Sequence, residues 1–269
     1  MRFAVLPVVT FGLFAMVIAD RLSHALAATP VPAAELAGET RRGTADGSEF
    51  PTGTHTEPNS AAKGSTSHTP TIDRLARLAV RQQISREAGR TYLDSLIGIT
   101  DSLVRRWPDR GGVPLKVSLI EGGPSDYHPR MARLVNDALD SWQNTGMGVR
   151  FDAVSDTAEA DIVVRWIDNF GLNRAGQTDL TWDQAGRVRK AVISLALRTN
   201  AGFPLPDPAL LAVAVHETGH ALGLPHSPDS NDVMYPATRT GVLSQRDRRT
   251  AQVLYQLQPG PLRDTGTSP

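Results

Sequence analysis

The chain has 269 residues, with 28 Lys and Arg balanced by 28 Asp and Glu. A formal net charge of zero points away from nucleic acid and from acidic membrane surfaces as partners. Cysteine is absent, which excludes disulfides, thiolate metal sites and cysteine nucleophiles.

In chain order, Arg2 precedes an uncharged apolar stretch from residue 3 to 19. Residues 1–27 therefore read as a secretory signal, with an uncleaved membrane anchor as the alternative; small-x-small cleavage candidates end at Ala19 and Ala27. Either form places the rest outside the cytoplasm, secreted or held at the cell envelope. Residues 28–70 are rich in Ala, Thr, Pro, Gly and Ser. They offer too little apolar surface to offset their ordering entropy and read as a disordered linker. Over 71–104 an apolar period returns. Leu75, Leu78, Ala79 and Ile84 predict one helix. Leu93, Leu96, Ile97, Thr100, Leu103 and Val104 share one face of a second. This segment is either a helical pro-region or an accessory piece packed on the domain that begins at 105, and the residues leave both open.

From 105 onward the pattern becomes that of a mixed domain. Residues 115–120 alternate as a strand between Pro114 and Gly122-Gly123. Met131, Leu134, Val135, Ala138, Leu139 and Trp142 recur at three and four, an amphipathic helix stopped by Gly146 and Gly148. Strands are expected over 149–154, 160–168, 178–182 and 188–197, the last two around a turn at 183–186. A helix comes next over 208–222, with Asp207 as N-cap and Pro208 in its first turn. A last helix spans 244–257, and the Pro- and Gly-bearing tail 259–269 is expected to be disordered.

The 208–222 helix runs into HETGHALGLPH at 216–226, which holds three of the chain's seven histidines. His216 and His220 are four apart, so their imidazoles leave one helix face a turn apart. Gly223 can take positive φ and end the helix, letting the chain turn back so that His226 supplies a third nitrogen. Three protein ligands suit a zinc ion that keeps a fourth position open for water, the mark of a catalytic site. Glu217 falls beside the ion rather than on it, placed as general base.

Met234 lies eight positions after His226, within Asp232-Val233-Met234-Tyr235-Pro236. The histidine motif followed by such a methionine resembles the metzincin pattern. Ser227 directly after the third histidine, with Met234-Tyr235-Pro236, is similar to the matrixins, the matrix metalloproteinase family. The resemblance implies an α+β, metzincin-like zincin domain over 105–258: a mixed twisted sheet, a zinc-ligand helix, a Met-turn and a C-terminal helix. It implies a zinc metalloendopeptidase that cleaves internal bonds of extended protein or peptide substrates, as an exported monomer. Met234 would form a hydrophobic floor beneath the histidines. Pro236 stands where some metzincins carry a tyrosine ligand, so no fifth protein ligand is expected.

The resemblance extends to the cleft. Ala212, four residues before His216, would set the depth of a substrate pocket also lined by Tyr235 and Pro236. The strand at 178–182 would pair with substrate backbone by β-augmentation. No histidine falls between His128 and His216, so the structural zinc of vertebrate matrixins is not expected, leaving one catalytic Zn²⁺. Asp168, Asp179 and Asp183 are candidates to hold Ca²⁺. The missing cysteine removes the thiol that keeps vertebrate matrixin proenzymes latent. A non-catalytic zinc or peptide-binding module on the same scaffold is the alternative; the intact Glu217 favours the enzyme.

Overall fold

The computed structural model describes residues 72–98 and 102–263. The apolar start, the linker and residues 264–269 of the tail lie outside the described residues. The elements in order are α1 (Ile72–Arg86), α2 (Ser95–Gly98), β1 (Leu103–Val104), β2 (Leu115–Leu119), α3 (Arg130–Gln143) and β3 (Phe151–Ala153). They continue with β4 (Ile162–Ile167), β5 (Gly176–Trp182), β6 (Val188–Ala196), α4 (Asp207–Ala221), α5 (Gln245–Gln256) and β7 (Gly260–Pro261). Among the described residues no helix is long and apolar enough to cross a membrane.

The main sheet has the order β3-β2-β4-β6-β5. Its pairings are parallel except at β5, an edge strand running antiparallel to β6. Ile162, Val163, Val164 and Trp166 of β4 are all buried, the near-continuous apolar run of a strand covered on both faces. The apolar stripe of α3 buries Met131, Val135, Ala138, Leu139 and Trp142, and this helix packs on α4. Ten consecutive or near-consecutive positions of α4, from Leu210 to Ala221, are buried. A helix buried nearly all round belongs inside a domain, and α4 lies against α3, β5 and β6. The α+β class, the mixed sheet, the buried motif-bearing helix and the closing helix agree with the metzincin-like expectation.

Three expectations are corrected. The second helix expected before 104 is a single turn, α2, and Leu103–Val104 is a strand paired with β7. Leu93, Leu96 and Val104 still reach the core, because a short apolar run meets the same burial requirement as helix or strand. The tail expected to be disordered is ordered through residue 263. Its Pro261 pairs with Leu103, the Leu262 N–H donates to the Ser102 carbonyl at 2.7 Å, and Leu262 is buried. The N-cap of α4 is Pro206, in extended conformation, and Asp207 is already helical. Asp207 instead meets Arg130 of α3 across 3.2 Å.

Candidate metal centre

The HExxH stretch is the C-terminal part of α4, so the helix period sets His216 above His220 on one face. Their rings stand edge-on with centroids 4.7 Å apart. After Ala221 the helix ends; the Leu224 N–H reaches back to the Gly219 carbonyl at 3.0 Å, and Gly223 sits at φ 95°. This turn brings the His226 ring to 4.7 Å from that of His220 and 5.4 Å from that of His216. One ligand nitrogen from each histidine lies within 4.8 Å of the others.

Two of the imidazoles are locked from behind. His216 Nδ1 donates to the Val233 carbonyl at 2.7 Å, and His220 Nδ1 to the Leu224 carbonyl at 2.9 Å. Each lock leaves the Nε2 lone pair facing the centre. Nε2 of His216 is buried without a hydrogen-bond partner. Nε2 of His220 and of His226 are 3.2 Å apart. A tetrahedral ion with bonds of ~2.0–2.1 Å needs nitrogens about 3.3 Å apart, so this pair fits zinc. Burial lowers His216 to about 4; the Val233 carbonyl opposes this and His226 adds to it. Burial also lowers His226 to about 4 and holds His220 well below its usual value, the other two histidines adding to the latter. The trio is therefore neutral at ordinary pH, the form that ligates a metal.

Glu217 is buried beside the trio. Its Oε2 accepts a 2.7 Å hydrogen bond from the Thr178 hydroxyl of β5, and its Oε1 has no partner. Burial pushes Glu217 up to about 8; Thr178 and Arg174 oppose the shift and Asp179 adds to it. A nearby cation would favour the carboxylate. Space is tight around this side chain: a Cβ at Gly176 would run into the Glu217 carboxylate.

Met234 is buried, and a Cβ at Gly219 would collide with its sulfur, so the methionine lies directly against the helix that carries His216 and His220. The loop around it is tied down by two carboxylates. Asp232 accepts from the hydroxyls of Ser227 and Ser244 and from Arg246. Asp247 completes a capping box at the start of α5 and also accepts from the Val233 N–H at 2.9 Å and from the Tyr92 hydroxyl at 3.0 Å. Val233 thus joins Asp247 through its N–H and His216 through its carbonyl.

Of the other expected residues, Ala212 is buried in α4, with Gly241 packed against its backbone N and Leu211. Tyr235 and Pro236 are half-buried just after Met234. The 178–182 strand lies within β5, at the sheet edge beside α4. His128 is exposed in the turn before α3. The calcium candidates do not converge. Asp183 is taken up by Arg187, Arg189 and the Ala185 N–H, and Asp179 accepts from Gln177. Among the described residues, the histidine trio is the one group of three or more metal-capable side chains. Thr178, Gly176, Asp232, Asp247 and Tyr92 carry no expected role from sequence. Only Asp247 had a signal, as the fourth residue of a Ser-x-x-Asp capping pattern at 244–247.

Residues 205–256 match the family model for matrixin. Over 63 residues the chain is 41% identical to interstitial collagenase A of Mus musculus. Over 64 residues it is 42% identical to matrix metalloproteinase-18 of Xenopus laevis, and likewise to neutrophil collagenase of Homo sapiens. Each match covers 22% of this chain and 14% of the relative. The family-model match spans α4, the loop that carries Met234, and α5.

Proposed function

We propose, from the matrixin-like stretch at residues 205–256, that this protein is a zinc metalloendopeptidase. The observation that carries the reading is the pairing of three converging neutral imidazoles with one unsatisfied carboxylate oxygen, Oε1 of Glu217, in a buried site. His216, His220 and His226 would hold the ion, which when bound supplies Lewis-acid polarisation and a water acidified towards neutrality.

The chain's own residues would do the rest. Oε1 of Glu217 accepts the proton of the attacking water and returns it to the leaving amine. Thr178 holds Oε2, so the carboxylate keeps one oxygen free and one orientation. Val233 and Leu224 fix the two helix imidazoles through their carbonyls. The substrate backbone adds to the free edge of β5. Ala212, Tyr235 and Pro236 are the residues proposed for the pocket beside it. We place the activity outside the cytoplasm, in a monomer acting on protein or peptide substrates.

The test is hydrolysis of casein and quenched peptides by the purified full chain, with zinc measured on the same sample. Activity should vanish with chelator and return with zinc. Glu217→Ala should keep one equivalent of zinc and lose at least about a hundredfold in turnover. Near-normal turnover in that variant would remove Glu217 from the chemistry. Zinc bound without any turnover in the unmodified chain would leave the binding-module alternative.

A further inference from the structure

Residues 72–98 precede the mixed domain in sequence, yet their apolar side chains lie inside it. Ile84 and Leu93 are fully buried, Tyr92 is 1% exposed and Leu96 is 5% exposed. All four belong to the core cluster that also holds Trp142 and Met234. Trp142 in turn donates its indole N–H to the Val215 carbonyl of α4 at 2.7 Å. The apolar period of this segment therefore fills the core on which the motif-bearing helix rests, not a separate one.

Polar groups close the seam. The Tyr92 hydroxyl donates to Asp247 at 3.0 Å, and both residues are buried. The Arg249 guanidinium donates to both oxygens of Glu87, at 3.1 and 2.6 Å, in a two-pronged pair. At the far end of the segment the Ile97 carbonyl accepts from the Ser102 hydroxyl and from Arg263, each at 3.1 Å. A segment that blocks the site has to occupy the cleft beside Glu217 and the β5 edge. The bonds named here run to α5, to Ser102 and to the tail instead.

Detachment would strip four large side chains from the core and one hydrogen bond from the buried Asp247. Both losses fall on the part left behind, as cavity and as unsatisfied acceptor. A pro-region built for release leaves a closed core when it departs.

We infer that residues 72–98 are a permanent part of the catalytic unit and not a removable pro-region, so that a cut which matures the chain falls on the N-terminal side of Ile72. Maturation rests on the endopeptidase reading above; retention of the segment does not. The seam also reaches the proposed metal ligands. Asp247 accepts from the Val233 N–H, and the Val233 carbonyl accepts from His216. Loosening the segment therefore weakens the hold on the ion, whereas loosening a blocking pro-region would free the enzyme.

Two measurements on the full, zinc-loaded chain test this. The first is native-state hydrogen exchange read by mass spectrometry. Amides over 84–97 should be protected to within about tenfold of those in α5, as expected of one cooperative unit. Exchange over 84–97 more than about a hundredfold faster than in α5 overturns the inference. In the second, Leu93→Asp places a charge in the seam. Tm should fall, zinc affinity measured against a competing chelator should fall at least about tenfold, and hydrolysis should fall with it. Glu87→Arg is the milder variant for a chain that Leu93→Asp fails to fold. It should lower Tm and zinc affinity, and Arg249→Glu in the same chain should restore both. Zinc affinity and Tm unchanged in both seam variants, or hydrolysis that rises in either, overturns the inference. Absence of hydrolysis from every form removes the endopeptidase, and exchange, Tm and zinc affinity still decide whether the segment is retained.

Discussion

Gly223 carries much of the geometry of the candidate metal centre. Its φ of 95° lies where side chains other than glycine are strained, and a Cβ there would strike the Arg105 carbonyl. Both constraints arise because the chain must leave α4 and double back to deliver His226. Gly223→Ala should therefore cost about 2–4 kcal/mol from backbone strain and overpacking together. A lower Tm and a weaker zinc affinity in the same variant would show it; an unchanged Tm would mean that the turn relaxes freely. The glycine, the three histidines and Glu217 are all legible in the sequence, because they sit within one helical turn and its exit, where spacing alone dictates direction. Thr178 is not. It is 39 residues from Glu217 in sequence, and a threonine in a strand carries no mark of what its hydroxyl meets.

Among the elements, α5 joins the segment before α2 to the loop that carries Met234. Asp247 serves the α5 cap, the Val233 N–H and the Tyr92 hydroxyl at once, and Asp247, Val233 and Tyr92 are buried. Ile84, Tyr92, Leu93 and Leu96 belong to the same core cluster as Trp142, Met234 and Leu254. Tyr92→Phe should cost about 1–3 kcal/mol by removing one hydrogen bond to a buried carboxylate. Because Val233 also locks His216, zinc affinity should fall with stability, measured by competition against a chelator; affinity unchanged beside a lowered Tm would sever that link. A fragment beginning at 105 would lose all four buried side chains. The β5–β6 turn gives a pH-dependent case. Burial alone would raise Asp183, but the Arg187 N–H and the Arg189 and Arg187 side chains outweigh it and lower its pKa to about 2. The folded value lies below the unfolded value of ~3.9, so its stabilisation is present above that pH and lost as pH falls through about 2. Asp183→Asn should be slightly less stable than the parent at neutral pH, and the gap should close between about pH 4 and 2. Both arginines are about half exposed, so salt should shrink the effect. A gap constant across that range in thermal melts would rule out the ion pairs as its source.

At the scale of the whole molecule, the three histidines proposed to hold the metal lie at the junction of its layers. His216 and His220 come from a helix packed between α3 and the sheet edge, while His226 and the Val233 lock come from the loop beyond it. An ion bound there ties these parts in the folded state, and few such ties exist in the unfolded chain. Zinc in thousandfold excess over its dissociation constant should then add about 4 kcal/mol of stability. Chelator should lower Tm, zinc should restore it and calcium should not. A melting curve indifferent to chelator, on a sample shown to have held zinc, would separate the ion from the fold.

Local order was readable from residues alone: the strand and helix segments from 115 onward, the imidazole spacing, and the glycine exit. Each depends on neighbours within a few positions, where periodicity and backbone freedom act directly. Packing decided the remainder. Leu103 and Val104 became a strand because Gly260 and Pro261 offered them backbone partners, against a helical apolar pattern that satisfied burial equally well. The same holds for the grip of Thr178 on Glu217 and the bond from Tyr92 to Asp247. These join residues far apart in the chain, and their free energy exists only once the sheet, α4 and α5 have closed on one another.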